Sequence, residues 1–258
     1  MTKRLEGKAG VITGAASGLG LAVLQAMLNE GASIVAVGRD AARGQEVVKR
    51  LQDQRGAVVF QQGDVTREED IVAAIERCRA EFGTIDIMHN NAGYLVTKEL
   101  HETTNDEWAT SVATNLSSVF WGSKHAVLAM REEGHGGAII NTASTGSFTA
   151  TADTASYVAT KSGLLGLTRA TALAYASDGI RCNALCPGSF ESPMQLKFLA
   201  EAPDPVAARR RFLDLNPAGR ILKPEDVAGA AVFLASDEAR AINGTSLVID
   251  DGTLAKAH

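Results

Sequence analysis

The sequence predicts a doubly wound α/β fold, a parallel sheet of about seven strands with helices on both faces. Three observations carry that prediction. Short apolar runs of strand length alternate with longer stretches of helical periodicity along most of the chain. The first apolar run ends in a glycine-rich turn that opens a helix. All six prolines lie from Pro187 onward, so the alternating part is free of these breakers.

Residues 9–13 (AGVIT) are the first strand, ending at Gly14 and followed by Ala15, Ala16, Ser17, Gly18, Leu19 and Gly20. A helical pattern runs from there to Glu30, with Gly31 placed as its C-cap. Residues 33–37 form a second strand. Strand, turn, helix, strand is a βαβ unit, with parallel strands and a right-handed connection. The alternation continues with a helix over 41–54, a strand over 57–60, a helix over 67–82 and a strand over 84–89. Two helical stretches cover 104–133, with Asn115 near their junction. Residues 138–143 are a fifth strand running into Ser144, and a helix over 155–177 carries Tyr157 and Lys161 in its first turns. A strand over 180–185, a helix over 225–236 and a strand over 245–250 complete the pattern. The proline-bearing stretch 187–223 breaks it. That stretch follows the carboxyl end of a strand, the edge where open α/β sheets bind ligands. It is expected to form a lid over the substrate, within one domain spanning 1–258.

Composition narrows the function. A net charge of −5 argues against a general affinity for nucleic acid or an anionic membrane, both of which want a basic face. No apolar run has the ~18 residues of a transmembrane helix, and the amino-terminal stretch reads as a first strand and not a signal peptide. Cys78, Cys182 and Cys186 are an odd, sparse set, which suggests reduced thiols and a cytoplasmic protein. No His or acidic residue is spaced with them to complete a metal site. The basic run Arg209, Arg210 and Arg211 reads as a solvated or ion-paired helix face.

The chemistry centres on Tyr157 and Lys161, four residues apart and so on one face of a helix. A phenol with a pKa near 10 is a poor acid or base at neutral pH, and an adjacent ammonium is expected to lower that value. Such a pair can take a proton from an alcohol or give one to a carbonyl oxygen. Ser144 can offer a hydroxyl to the same oxygen. The glycine turn lets backbone approach a pyrophosphate, whose charge the following helix N-terminus attracts. No Lys-Ser/Thr pair follows Gly20, which disfavours a P-loop hydrolase. At the end of the second strand an acid would bind a ribose 2′-hydroxyl, whereas an Arg would accommodate a 2′-phosphate. The chain has Gly38 and then Arg39 there, which favours NADP(H) and leaves NAD(H) as the alternative.

TGAASGLG at 13–20, NNAG at 90–93, Asn115, Ser144, Tyr157 with Lys161, and CPGSFESPM at 186–194 together resemble the short-chain dehydrogenase/reductase family, in its single-domain branch. The resemblance covers essentially the whole chain and implies a Rossmann-type fold. It implies that Asn115, Ser144, Tyr157 and Lys161 are catalytic, Tyr157 being the general acid/base. Gly14, Ser17, Gly18, Leu19 and Gly20 would then cradle the cofactor, with Arg39 at its 2′ position. Asp64 and Val65 would flank the adenine, and Asn91, Ala92 and Gly93 the ribose. Lys161 would bind the nicotinamide ribose beside Tyr157. Pro187, Gly188, Phe190 and Ser192 would line the nicotinamide. The substrate would be a small carbonyl compound or secondary alcohol, and the assembly a homotetramer. Two positions depart from the family pattern: Ser192 stands for the usual Thr, and Asp251 for a Gly. Phe148, Phe190, Met194 and Phe198 fall near this site and could make an apolar pocket or equally be core residues. The alternative is a non-catalytic dinucleotide-sensing or scaffold protein on the same fold. Such a protein would be expected to have lost one of the four catalytic residues, and none is lost.

Overall fold

The computed structural model describes residues 3–192, 196, 199–200 and 202–256. Seven strands form one sheet in the order β3-β2-β1-β4-β5-β6-β7. They are β1 (Ala9–Thr13), β2 (Ser33–Gly38), β3 (Val58–Gln62), β4 (Ile87–Asn90), β5 (Gly137–Thr142), β6 (Ile180–Pro187) and β7 (Ser246–Ile249). The described helices are α1 (Gly18–Asn29), α2 (Ala41–Leu51), α3 (Glu68–Phe82), α4 (Asn105–Val112), α5 (Ser118–Glu133), α6 (Ala155–Ala174), α7 (Pro205–Leu215) and α8 (Pro224–Ala235).

All neighbouring strands are parallel, and the central strands are buried along nearly their whole length. That is why they read as continuous apolar runs. Residues of α1 and α8 pack together over one face, around Leu24, Leu28, Val227 and Ala231. Residues of α3 and α5 cover the other, around Ile71, Ile75, Val127 and Met130. Gly10 in β1 is obligatory, because a Cβ there would lie 2.6 Å from the Ile87 carbonyl oxygen. The strand order reverses between β1 and β4. Their carboxyl ends therefore open a crevice at the switch point.

Several boundaries differ from the sequence expectation, and three of the differences have a clear physical reason. β4 starts at Ile87 and not at residue 84, because Asp86 is committed to β1. Its carboxylate accepts the Ala9 N–H at 2.9 Å, and its own N–H donates to the Ala9 carbonyl at 2.8 Å. α6 stops at Ala174, after which Ala176–Asp178 tighten into a 3₁₀ turn and Gly179, with φ 74°, reverses the chain into β6. α4 and α5 are joined by a π-helical turn over Ala113–Ser117, so Asn115 sits inside a widened turn of one helical run.

Beyond β6 the chain leaves the sheet and returns at α8. This excursion is closed at its base, where Phe190 bridges Leu222 and the Glu191 N–H donates to the Leu222 carbonyl at 2.8 Å. Asp204 caps α7 by accepting the Ala207 N–H at 3.0 Å. On that helix Arg209 pairs with Glu191 at 3.6 Å, which agrees with an ion-paired helix face.

Candidate active site

The glycine turn is held open by its own close packing. Gly14 and Gly18 have φ of 66° and 52°, and a Cβ on Gly20 would lie 2.2 Å from the Gly14 carbonyl oxygen. Helix α1 begins there with no side-chain cap from Ser17 and no acid in its first turn. The contrast with α2 and α4 is informative, since Asp40 caps α2 and a Thr104–Glu107 capping box closes α4. The first turn of α1 thus keeps its backbone donors uncapped by side chains, which fits a pyrophosphate. Leu19 and Gly20 are buried beneath it.

Asn91 joins this turn to β4. Its side chain donates to the carbonyls of Thr13 at 3.0 Å and Gly14 at 3.4 Å. The Thr13 hydroxyl accepts the N–H groups of Asn91 at 2.9 Å and Ala92 at 3.1 Å. Farther along the edge, Gly38 ends β2 and Arg39 is exposed. Asp64 accepts from the Thr66 N–H at 3.0 Å and the Thr66 hydroxyl at 2.8 Å. The backbone N–H of Thr66 is the main reason its carboxyl lies below the usual range, with Arg39 adding to the effect. Val65 is buried in the α3/α5 core.

At the other end of the crevice, Ser144 follows β5 and accepts the Gly146 N–H at 3.0 Å. A Cβ on Gly146 would lie 3.4 Å from the Ser144 hydroxyl oxygen and 3.6 Å from the Tyr157 ring, so both line one corner. The Ser147 hydroxyl straps this loop to α6 by donating to the Lys161 carbonyl at 2.8 Å. Lys161 is only 2% exposed, and its ammonium donates to the Thr142 carbonyl at 2.6 Å. It lies 5.7 Å from the centre of the Tyr157 ring. Asn115 is fully buried; its amide bonds the Tyr94 backbone at 2.7 and 2.8 Å and donates to the Thr160 hydroxyl at 3.2 Å. Gly93, with no side chain, leaves both Asn115 and the Lys161 ammonium facing the same gap.

The electrostatics differ from the sequence expectation. Burial raises the Tyr157 pKa above the ordinary phenol value although the residue as a whole is half-buried, and a hydrogen bond with Ser144 opposes the rise. The Lys161 ammonium is turned to the Thr142 carbonyl, and burial disfavours its charge. Burial lowers the Lys161 pKa from 10.5 to about 8.

Pro187 ends β6, and Gly188 packs so closely on Asp250 that a Cβ would come within 2.9 Å of it. Phe190 leans on the α1/α8 core, so it is partly a core residue. Ser192 is half-buried at the start of the excursion. Met194 and Phe198 lie outside the described residues, and Phe148 is exposed.

Sequence reasoning missed the polar residues inside the sheet. Asn90 donates to Asn141 at 2.9 Å, Asn141 donates to the Thr168 hydroxyl at 3.0 Å, and His89 contacts the Thr142 hydroxyl at 2.9 Å. Their one signal is that polar residues interrupt otherwise apolar strands. His89 Nδ1 has no partner among the described residues, and burial lowers the imidazole pKa from 6.5 to about 3.

Comparison with known proteins points to one family. A family described as enoyl-(acyl carrier protein) reductase matches residues 14–253. A cis-4-hydroxycyclohexanecarboxylate dehydrogenase of Sinomonas cyclohexanicum is 37% identical, with 94% of each chain covered. A 3beta-hydroxysteroid dehydrogenase of Eggerthella lenta is 35% identical over 96% of this chain and 95% of that one. A crystal structure of a short-chain dehydrogenase/reductase from Burkholderia xenovorans superposes with a TM-score of 0.95 at 32% identity, covering 99% of this chain and 100% of that one. A doubly wound sheet with this crevice and these relatives define the class as oxidoreductase. More narrowly, the chain belongs to the short-chain dehydrogenase/reductase family.

Proposed function

We propose that this protein interconverts a secondary alcohol and its ketone with NADP(H), Tyr157 acting as the general acid/base. The observation that supports this reading is the corner shared by Tyr157, Ser144 and the buried Lys161 at the carboxyl edge of β5. In oxidation the Tyr157 oxygen takes the hydroxyl proton of the substrate, and in reduction it returns that proton to the carbonyl oxygen. The Ser144 hydroxyl donates to the same oxygen and orients it. When bound, the nicotinamide supplies the hydride acceptor or donor. Lys161, beside Gly93, would bind the ribose hydroxyls, and the open first turn of α1 would hold the pyrophosphate. Asn115 braces α6 against the loop after β4, and its backbone lies in the π turn. Arg39 would meet the 2′-phosphate, and residues 187–223 would cover the substrate within a single domain. Both enzymes compared above are named for substrates with a ring hydroxyl, so cyclic secondary alcohols are the first class to test.

The deciding experiment is a panel of cyclic and acyclic secondary alcohols and ketones, followed by cofactor absorbance with NADP(H) and NAD(H). Turnover of any of them that is lost in Tyr157→Phe supports the reading. A silent panel, with tight binding of the cofactor, would favour the sensing alternative. We also infer a cytoplasmic homotetramer. Trp108, Phe120, Leu128 and Leu173 expose apolar surface along α4, α5 and α6, which suits self-association. Light scattering on the purified protein tests it, with a monomer mass the opposing result.

A further inference from the structure

A second cavity lies at the edge of the sheet opposite Tyr157. Lys8 just before β1, Asp86 just before β4, Gly136 just before β5 and Ile180 at the start of β6 all line it, so it sits where the strands begin. Open α/β sheets bind their ligands at the carboxyl ends of strands, so this cavity is no part of the crevice. Its volume is about 380 Å³, toward the lower end of the roughly 300–1,000 Å³ of small-molecule sites. The charges around it are unevenly matched. Arg181 is half-buried, and its guanidinium donates only to backbone carbonyls, those of Leu234 at 2.8 Å, Ser236 at 3.2 Å and Ile242 at 3.5 Å. No carboxylate lies within ion-pair distance of it among the described residues. Burial disfavours its charge, with Asp237 opposing that effect from farther off. Arg240 also lines the cavity, is exposed and has no ion pair among the described residues. Lys8 pairs at 3.0 Å with Asp237, whose carboxylate is 85% exposed and so shared with water. The other acid of the lining is already engaged. Asp86 accepts the Ala9 N–H at 2.9 Å and faces His135 at 3.8 Å, and His135 in turn meets Glu133 at 3.0 Å. Between the charges, Ala138, Ile180, Ala235 and Ala241 supply apolar wall.

We propose that this cavity is a second binding site, which takes a small aliphatic carboxylate, its anionic head on Arg181, Lys8 and Arg240 and its carbon chain on the alanine and isoleucine walls. A guanidinium carries a planar fork of N–H donors that matches a carboxylate, and the bonds of Arg181 to three carbonyls leave donors over. Because Arg181 also ties β6 to the end of α8, a carboxylate bound there would brace both. The site stands apart from the crevice, whatever reaction the crevice runs.

Titration calorimetry with succinate at constant ionic strength tests this, with succinamide as the uncharged control and sulfate as the control for bare charge. Succinate should bind with a Kd below about 1 mM, and succinamide should not bind. With succinate, amide hydrogen exchange should slow in residues 135–138 and 234–243 and not in 13–20, where the glycine turn could also attract an anion. Lys8→Gln combined with Arg240→Gln should weaken binding by about tenfold, through lost charge-assisted bonds. Ala241→Phe, at an exposed position, should fill the cavity and weaken binding while leaving every cation in place. Arg181 is kept in both variants, because its loss would release the end of α8. Absence of succinate binding would overturn the proposal. So would unchanged affinity in either variant, or protection confined to residues 13–20. Sulfate binding as tightly as succinate would mark an adventitious ion only and overturn the carboxylate class.

Discussion

The two ends of the crevice are built in opposite ways. At the Tyr157 end the charged group is buried and its contacts are fixed. The Lys161 ammonium bonds the Thr142 carbonyl at 2.6 Å, and Asn115 and Ser147 tie α6 to the neighbouring loops. At the Arg39 end the side chain is exposed and has no hydrogen bond or ion pair among the described residues. The difference lies in the surrounding medium. Charge is costly and effective where water is excluded, and it is cheap and screened where water enters. Substitutions at the first end should therefore act strongly on both chemistry and stability. Those at the second should act mildly, on the choice of ligand alone.

The largest effect is expected at Tyr157. Replacement by Phe removes one oxygen and leaves the ring packing, so turnover should fall by about 10²–10⁴-fold while cofactor affinity holds. Steady-state rates with a good substrate check this, and near-normal turnover would break the contrast between the two ends. Lys161→Met should lose activity and yet give a more stable protein in the absence of cofactor. The Lys161 pKa falls from 10.5 to about 8 in the folded chain, so the ammonium carries its full burial penalty below about pH 8. That penalty lifts as pH rises toward the unfolded value, so the unmodified protein should gain stability across that window and the variant should not. The shift corresponds to roughly 3 kcal/mol, from which the lost bond to Thr142 subtracts about 1 kcal/mol. Urea unfolding at neutral and alkaline pH measures both parts.

His89 extends the buried side of the comparison into the sheet. Its folded pKa of about 3 lies below the ordinary 6.5. The unfolded chain therefore binds a proton that the folded chain refuses, and stability should drain away as pH falls through that window. Between about pH 7 and about pH 4 the loss is roughly 3 kcal/mol. His89→Leu should flatten this acid limb even if it lowers stability at neutral pH. An equally steep limb in the variant would show that other groups cause it.

How much of this was legible in the sequence follows the same division. The strands showed because parallel strands buried on both faces are continuously apolar, and the glycine turn showed because only Gly fits the approach of Gly20 to the Gly14 carbonyl. Tyr157 and Lys161 showed because helical spacing is local. The direction of the Lys161 ammonium did not show, since the carbonyl it meets belongs to a strand nineteen residues away in sequence. The Thr13 hydroxyl, the Asn90–Asn141 pair and the Asp86 link to β1 were hidden for the same reason: each depends on the register between strands. The π turn at Asn115 has no local signature in residues 113–117.

The smallest expected effect is at the exposed end, on cofactor choice. Gly38 does not have a positive φ, and a Cβ there would lie 3.4 Å from the Phe60 ring and 3.7 Å from the Ala16 methyl. Gly38→Asp can therefore be built with little more than a small shift of Phe60. It would place a carboxylate where a 2′-phosphate would be repelled and a 2′-hydroxyl accepted. Arg39 supplies the opposite preference through charge-assisted hydrogen bonds, worth roughly 1.5–3 kcal/mol at most and less where water competes. The low end of that range is about tenfold in affinity. We expect NADP(H) to exceed NAD(H) in kcat/KM by about that factor, Arg39→Ala to erode the difference and Gly38→Asp to invert it. Because the site is exposed, the preference should also shrink as salt is added, whereas the Tyr157→Phe defect should not. Kinetics with both cofactors at low and high ionic strength separate the two ends of the crevice. Better efficiency with NAD(H) in the unmodified protein would refute the cofactor assignment and leave the proton-transfer corner standing.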